Sequence, residues 1–429
     1  MTRTLVVAAA AMMSMAAPVP VSAQQCSPHN AGLALPPGFC AVMFAESLGP
    51  VRHMAALPNG DLAVAVRGAQ GGVRLLRDTT GDGRADVVRA FAPPGGGGGT
   101  GIAVTSGALY FATDDAVLRW RWSPGQLEPA GPPDTIVRGL TSRRQHAAKG
   151  IAIGADGALY VNIGAPSNSC QAEDRTAGSP GQDPCALLEI AGGIWRFDAT
   201  RTGQSQADGR RYATGLRNAM ALAIQPGTGA LYAAQHGRDM LAGYWGTLYT
   251  EAQSAELPAE EIFKIEQGGD YGWPYCYYDQ QQQQKILGPE YGGDGKTVGR
   301  CATVRTPAVA FPGHWAPNGL AFYGGTQFPE KYRGGLFIAF HGSWNRAPLP
   351  QAGYKVVFVP FARDGAAPAG EPEVFADGFA GADVSPQGAR HRPTGLAVGA
   401  DGALYVSDDK GGTIFRISVS SSGRPGGRE

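Results

Sequence analysis

The stretch DGALYVNIG (156–164) carries the architecture, because the chain says it again and again. It returns as DGALYVSDD (401–409). Looser copies are NGDLAVAV (59–66), SGALYFAT (106–113), TGALYAAQHG (228–237) and RGGLFIAFHG (333–342). Each copy opens with turn residues that tolerate positive φ and continues with apolar alternation, which predicts a half-buried strand. A second strand follows every copy: GVRLLRD (72–78), VLRWRW (117–122), GIWRFD (193–198), EEIFKIE (260–266), YKVVFVPF (354–361) and TIFRIS (413–418). A small antiparallel sheet cannot bury both its faces alone, so repeated sheets pack around an axis and close into a ring. Six paired copies therefore predict an all-β, six-bladed β-propeller, with a β-sandwich or β-helix as the competing architectures. The spacing is stretched by insertions at 238–260 and 275–305, and chemistry is expected at the channel mouth, on loops flanking the inner strands.

Around this repeat the chain reads as an exported domain. Residues 1–23 have the form of a secretory signal: Arg3, then an Ala-rich apolar run interrupted by Pro18 and Pro20, then a small-x-small site at Val21-Ser22-Ala23. No later segment offers eighteen unbroken apolar residues, so no membrane span is expected. Residues 24–417 are assigned to one propeller domain and 418–429, rich in Ser and Gly, to a frayed tail. The runs at 95–99 (Gly) and 280–284 (Gln) read as surface loops. Six cysteines fall into sequence-local pairs, 26 with 40, 170 with 185 and 276 with 301, although six permit fifteen connectivities. No Cys/His spacing suits zinc, and disulfides suit a periplasmic or secreted location. With 36 basic and 36 acidic residues the chain lacks the net basic face that nucleic acid or an anionic membrane requires. No strand–GxGxxG–helix context points to a nicotinamide cofactor.

Five of the seven histidines, His146, His236, His314, His341 and His391, sit beside the repeated strands. Four segments converge in the repeat frame: 145–161, 214–224 and 390–406 place polar groups before an inner strand, and 233–239 places His236-Gly237-Arg238 after one. GLRN (215–218), a strand ending in HG (236–237) and YGWP (271–274) resemble the soluble pyrroloquinoline quinone (PQQ)-dependent glucose dehydrogenase family. GAPSNSC (164–170) and HGSWNR (341–346) bring the likeness closer to its sorbosone and aldose dehydrogenase relatives. The resemblance covers residues from about 50 to 417.

That resemblance implies PQQ and calcium as cofactors, a sugar as substrate, and an external electron acceptor (quinone, cytochrome or dye). It implies His146 as general base, a role suited to a neutral imidazole. It puts Arg217 opposite the quinone oxygen, where a guanidinium stabilises developing negative charge, with Asn218 beside it. Arg390 and Arg392 match a cofactor-binding Arg-x-Arg, whose forks suit carboxylates and whose spacing in a strand gives one facing direction. Gly237 and Arg238 match two residues whose main-chain carbonyls hold calcium. Four departures stand out. Arg238 replaces the usual Pro, and Ala165 replaces an acidic residue that orients the histidine. A glutamine near the base has no counterpart at 95–100. No lysine occurs around Gly342-Ser343, where Arg346 is the nearest cation for the cofactor. His314, Trp315 and Asn318 either line the mouth or pack a blade entry. DTTGDG (78–83) resembles a calcium loop, but Arg89 stands where the twelfth-position acid belongs, and the segment reads as an Asp-Gly turn. Two other readings are a calcium-dependent propeller hydrolase of lactonase type, which needs a ring of acidic and amide ligands, and a non-catalytic binding propeller.

Overall fold

The computed structural model describes residues 26–143 and 145–420. The signal segment expected at 1–23 and most of the expected tail, 421–429, lie outside them. The turn-strand repeat folds as read: Gly157 (φ 77°) and Gly402 (φ 83°) take the left-handed conformation that reverses the chain into Ala158–Ile163 and Leu404–Asp408. These repeated strands are the second of each blade. The innermost strands precede them: Val51–Ala56, Gly101–Thr105, Ile151–Ile153, Ala221–Ile224, Pro317–Phe322 and Pro393–Val398.

Each inner strand pairs antiparallel with its repeated strand, then with a third and a fourth, giving six blades. The inner strands line a narrow axial cavity of about 50 Å³ touched by His53, Ile102, Ile151, Ala221, Leu320 and Leu396. The expected half-burial of the repeated strands is corrected: all six are buried along their whole length. The reason is that every blade lies between two others, so both faces of its second strand meet apolar neighbours. Six separate apolar clusters fill the six junctions between blades.

Ring closure comes from the N-terminal strand Phe39–Ala45, which pairs with Thr413–Val419 and completes the last blade. That strand runs two residues past the domain limit drawn at 417, so Ser418 and Val419 belong to the sheet and not to a tail. The disulfides are Cys26–Cys40, Cys170–Cys185 and Cys276–Cys301, as the local pairing anticipated. The two long insertions form the short helices Leu241–Trp245 and Glu251–Glu256 and the hairpin Cys276–Asp279/Gln284–Leu287. They pack on each other through Leu241, Tyr249, Leu257, Tyr277 and Ile286 over one end of the ring. Among the described residues no helix is long and apolar enough to cross a membrane. DTTGDG is a turn in which Asp78 Oδ1 accepts from Gly81 N at 2.7 Å and Oδ2 from Gly83 N at 2.7 Å.

Phe39 anchors the closing strand edge-on to Phe328 (4.7 Å), Phe375 (5.1 Å) and Tyr332 (5.4 Å). Phe39→Ala is expected to destabilise the protein by about 3–5 kcal/mol, read as a lower urea midpoint. A midpoint equal to that of the unsubstituted protein would show that closure does not rest on this contact.

Candidate active site at the channel mouth

Loops that enter inner strands and loops that leave second strands emerge at the same end of a propeller, and the residues with chemical potential gather there. A cavity of about 170 Å³ is lined by His146, Arg217, His236, Gly237, Asp239, Glu260, His314, Ala316, Trp344 and Asn345. The structure thus joins three of the sequence-selected groups, His146, Arg217 and Gly237, in one place.

His146 lies in the loop before Ile151–Ile153 in a left-handed conformation (φ 54°). Its Nδ1 is 2.5 Å from the carbonyl oxygen of Ala165. A carbonyl only accepts, so Nδ1 carries the hydrogen and Nε2 keeps its lone pair. Burial, reinforced by the Arg217 guanidinium, pushes the His146 pKa down to about 3. The partner missing from the sequence reading is therefore the backbone of Ala165 itself. The amide of Ala165 in turn donates to Arg217 O at 2.8 Å. Gly164 makes room: a Cβ there would meet His146 Cβ at 2.6 Å and Asn218 Oδ1 at 3.1 Å.

Arg217 is buried, and four bonds fix its guanidinium: to Asn168 O (3.1 Å), Asn168 Oδ1 (3.1 Å), Gly237 O (2.8 Å) and Asp239 Oδ2 (2.9 Å). Burial opposes ionisation of Asp239, yet Arg217, His314 and Arg175 around it hold its pKa at about 2. Glu260 accepts from the amides of Gly237 (3.1 Å) and Ala316 (3.2 Å), and burial lifts its pKa to about 8. Asn218 is buried behind these groups and accepts from Asn162 Nδ2 at 3.4 Å. The Arg238 side chain turns away from the cavity into Glu290, where Nη1 meets both carboxylate oxygens at 2.5 Å. It ties the two insertions together.

Two expectations need correction. Arg346 spends its guanidinium inside the protein, on Ala255 O (2.7 Å), Gly313 O (2.8 Å), Pro350 O (3.2 Å) and Glu256, and so holds the helical insertion to its loop. Arg390 and Arg392 do not form a matched pair, because the strand begins at Pro393 and both precede it. Arg390 is exposed beside Gly381, whereas Arg392 folds inward over the Tyr354 ring and donates to His341 O (3.1 Å) and Gly342 O (2.7 Å).

The sequence reading missed other cations at the same end. Lys149, three residues after His146, is fully buried and donates to Ala147 O; burial pulls its pKa down to about 8. Arg67 donates to Thr100 Oγ1 (3.0 Å) and Asp114 (2.7 Å). Arg52 pairs with Asp409, which His341 Nε2 also meets at 2.8 Å, and the buried Arg52 Nε has no partner. The signal was available in the repeat frame. Arg67 follows its second strand as His236 does, and Lys149 precedes an inner strand as His146 does. His314 Nε2 donates to Ser254 O (2.8 Å) at the cavity wall. Trp315 packs against Phe311 and Phe340, and Asn318 O binds the His53 ring at 2.8 Å. His391 is held by Asp408 at 2.6 Å and stands edge-on to Phe415, a structural placement.

The chain is 28% identical over 250 residues to a PQQ-dependent pyranose dehydrogenase from Coprinopsis cinerea, a match that covers 50% of this chain and 32% of that protein. Among solved structures, a calcium structure of a Trichoderma reesei carbohydrate-active enzyme of family AA12 superposes with a TM-score of 0.72. The two are 20% identical, with 91% of this chain and 97% of that one covered. The holo form of the PQQ domain of the Coprinopsis cinerea pyranose dehydrogenase superposes equally well, again at TM-score 0.72 and 20% identity, covering 90% of this chain and 97% of that one. At such identities these structures establish the shared propeller. A family model described as TrAA12-like matches residues 33–420, nearly all of the described fold, and the chain belongs to that family.

Proposed function

We propose that this protein is a PQQ-dependent sugar dehydrogenase that oxidises an aldose, sorbosone or related carbohydrate, with His146 as general base. The observation that carries this reading is the fixed tautomer of His146. The Ala165 carbonyl holds the proton on Nδ1, and Nε2 stays unprotonated beside a buried arginine.

The donors at the mouth fit a flat tricarboxylate. Lys149 is a buried ammonium with one carbonyl partner, Arg52 carries an orphaned buried Nε–H, and Arg67, Arg392 and the exposed Arg390 lie on loops of the same end. Buried cations with unsatisfied donors are costly unless an anion joins them. Oxygen donors of the kind calcium takes lie in the cavity: the Gly237 carbonyl and the Asp239 carboxylate, both of which also accept from Arg217, with the Arg238 carbonyl next in the chain. When bound, the quinone supplies the two-electron acceptor for a hydride from the carbinol carbon. His146 Nε2 takes the hydroxyl proton as that hydride leaves, so the C–H and O–H bonds of the alcohol become one carbonyl π bond. Arg217, immobilised by Asn168, Gly237 and Asp239, holds positive charge at the cavity wall while negative charge develops. Electrons then pass to an external acceptor. The three disulfides support an exported, periplasmic or secreted location. The hydrolase reading calls for a ring of acidic and amide ligands, whereas the ionised carboxylate at this cavity, Asp239, is paired with the Arg217 guanidinium.

Titration of the protein with PQQ and calcium is expected to give stoichiometric binding and sugar-dependent dye reduction. His146→Ala is expected to lower kcat by about 10²–10⁴ while cofactor binding persists. Gly164→Ala is expected to lower kcat in the same direction by displacing the imidazole. Absence of PQQ binding with calcium in excess would refute the assignment.

Lys149→Met and Arg392→Met are each expected to weaken PQQ binding by about 10–100-fold, the usual worth of a charged hydrogen bond. Absorbance titration checks this, and unchanged affinity in both would remove these cations from the cofactor site.

The pKa of His146 lies below its ordinary value, so the neutral base is present at every pH above about 3. The pH profile of kcat/KM is expected to show no acid limb at about 6.5, where an exposed histidine titrates. A limb at that position would mean the imidazole is solvated in the working enzyme.

A further inference from the structure

Trp344 is 59% exposed, the only aromatic among the large apolar side chains left on the surface of the described residues. It stands on the rim of the cavity that contains His146 and Arg217. An indole left in water forgoes roughly 1.5–3 kcal/mol of burial, so its position beside a reactive cavity calls for an occupant. Nor is the loop that carries it slack. On one side Ser343 is fully buried: its hydroxyl donates to Gln351 Oε1 (2.6 Å) and its carbonyl accepts from Tyr354 Oη (2.6 Å). On the other side the Arg346 guanidinium pins the backbone region to Ala255 O and Gly313 O. Between these anchors, Asn345 Nδ2 reaches Asp239 Oδ1 at 3.4 Å and its Oδ1 has no hydrogen-bond partner.

We propose that Trp344 is a substrate platform: one face of a pyranose ring rests on the indole while its hydroxyl edge is held near Asn345 and its reacting carbon is presented to His146. The chemistry selects a cyclic sugar. A pyranose offers a flat patch of C–H groups that matches an aromatic face, with hydroxyls around its perimeter, whereas an open-chain polyol has no such face. The loop is held before the sugar arrives, so little conformational entropy is lost on binding. This proposal rests on the sugar dehydrogenase reading for the nature of the occupant and adds the residue on which its ring would rest.

Two measurements separate the failure of one from the failure of the other. The first is binding without turnover: glucose, galactose and xylose are titrated into the protein and followed by calorimetry and tryptophan fluorescence. The unsubstituted protein is expected to bind at least one of them, Trp344→Ala to bind it about tenfold more weakly, and Trp344→Phe to recover most of the loss. The second uses the PQQ- and calcium-loaded enzyme. Trp344→Ala is expected to raise KM for the pyranose about tenfold with kcat within about twofold, and to leave KM for sorbitol unchanged. Pyranose binding as tight in Trp344→Ala as in the unsubstituted protein, or no binding of any of the three sugars, overturns the platform. Tryptophan-dependent sugar binding without sugar oxidation upholds the platform and counts against the dehydrogenase.

Discussion

The structure depends on one pairing between the two ends of the described chain. Phe39–Ala45 supplies the outer strand of the blade whose other three strands come last in sequence, so the ring closes with antiparallel hydrogen bonds between residues nearly four hundred positions apart. Each blade touches only its two neighbours, and an open ring would expose two apolar blade faces to water. The aromatic seat of Phe39 holds the strand by packing, and the Cys26–Cys40 bridge ties the segment before the strand to it. Closure also fixes the mouth, since Arg52 from the first blade and Asp409 from the last meet across that junction.

Rigid closure lets the protein keep charges buried that would otherwise be neutralised or solvated. Arg217, Asp239, Lys149 and Arg52 all lie at one end of the ring, on loops or strand ends held by the blades. A buried ion pair is weak evidence of stability because the desolvation of both partners offsets most of their attraction. Here the array is better understood as preorganisation. Arg217 is bonded on several sides by groups that cannot follow it if it moves, and His146 is held in one tautomer by a backbone carbonyl. These costs are borne by the six apolar junctions, which form independently of the mouth.

The repeat was legible because turn chemistry and apolar pattern act locally, and each of the six copies became a second strand at its expected place. The burial of those strands was misjudged because alternation speaks of one sheet, while burial depends on the neighbouring blade. His146, Arg217 and Gly237 were found by motif and meet in space. Arg346 was misplaced for a physical reason: a lone cation in a loop motif says nothing of direction, and two carbonyls from the helical insertion claimed its guanidinium. Arg390 and Arg392 failed as a pair because the two-residue rule applies to strands, and the strand starts after them. Lys149 escaped notice although it shares a segment with His146. A lysine beside two glycine- and alanine-rich turns reads as surface, and only the folded ring buries it.

That the partner of His146 is a backbone carbonyl and not a carboxylate has an electrostatic consequence. A carboxylate behind an imidazole raises its basicity and stabilises the imidazolium formed when it takes a proton. A carbonyl dipole fixes the tautomer with much less of that stabilisation, and Arg217 opposes protonation further. His146 is therefore a weak base in a dry, cationic setting. Asp239, ionised at the wall of the same cavity, offsets part of that opposition. The cations around the mouth and the low basicity of His146 have one cause, the burial of ionisable groups at this end of the ring.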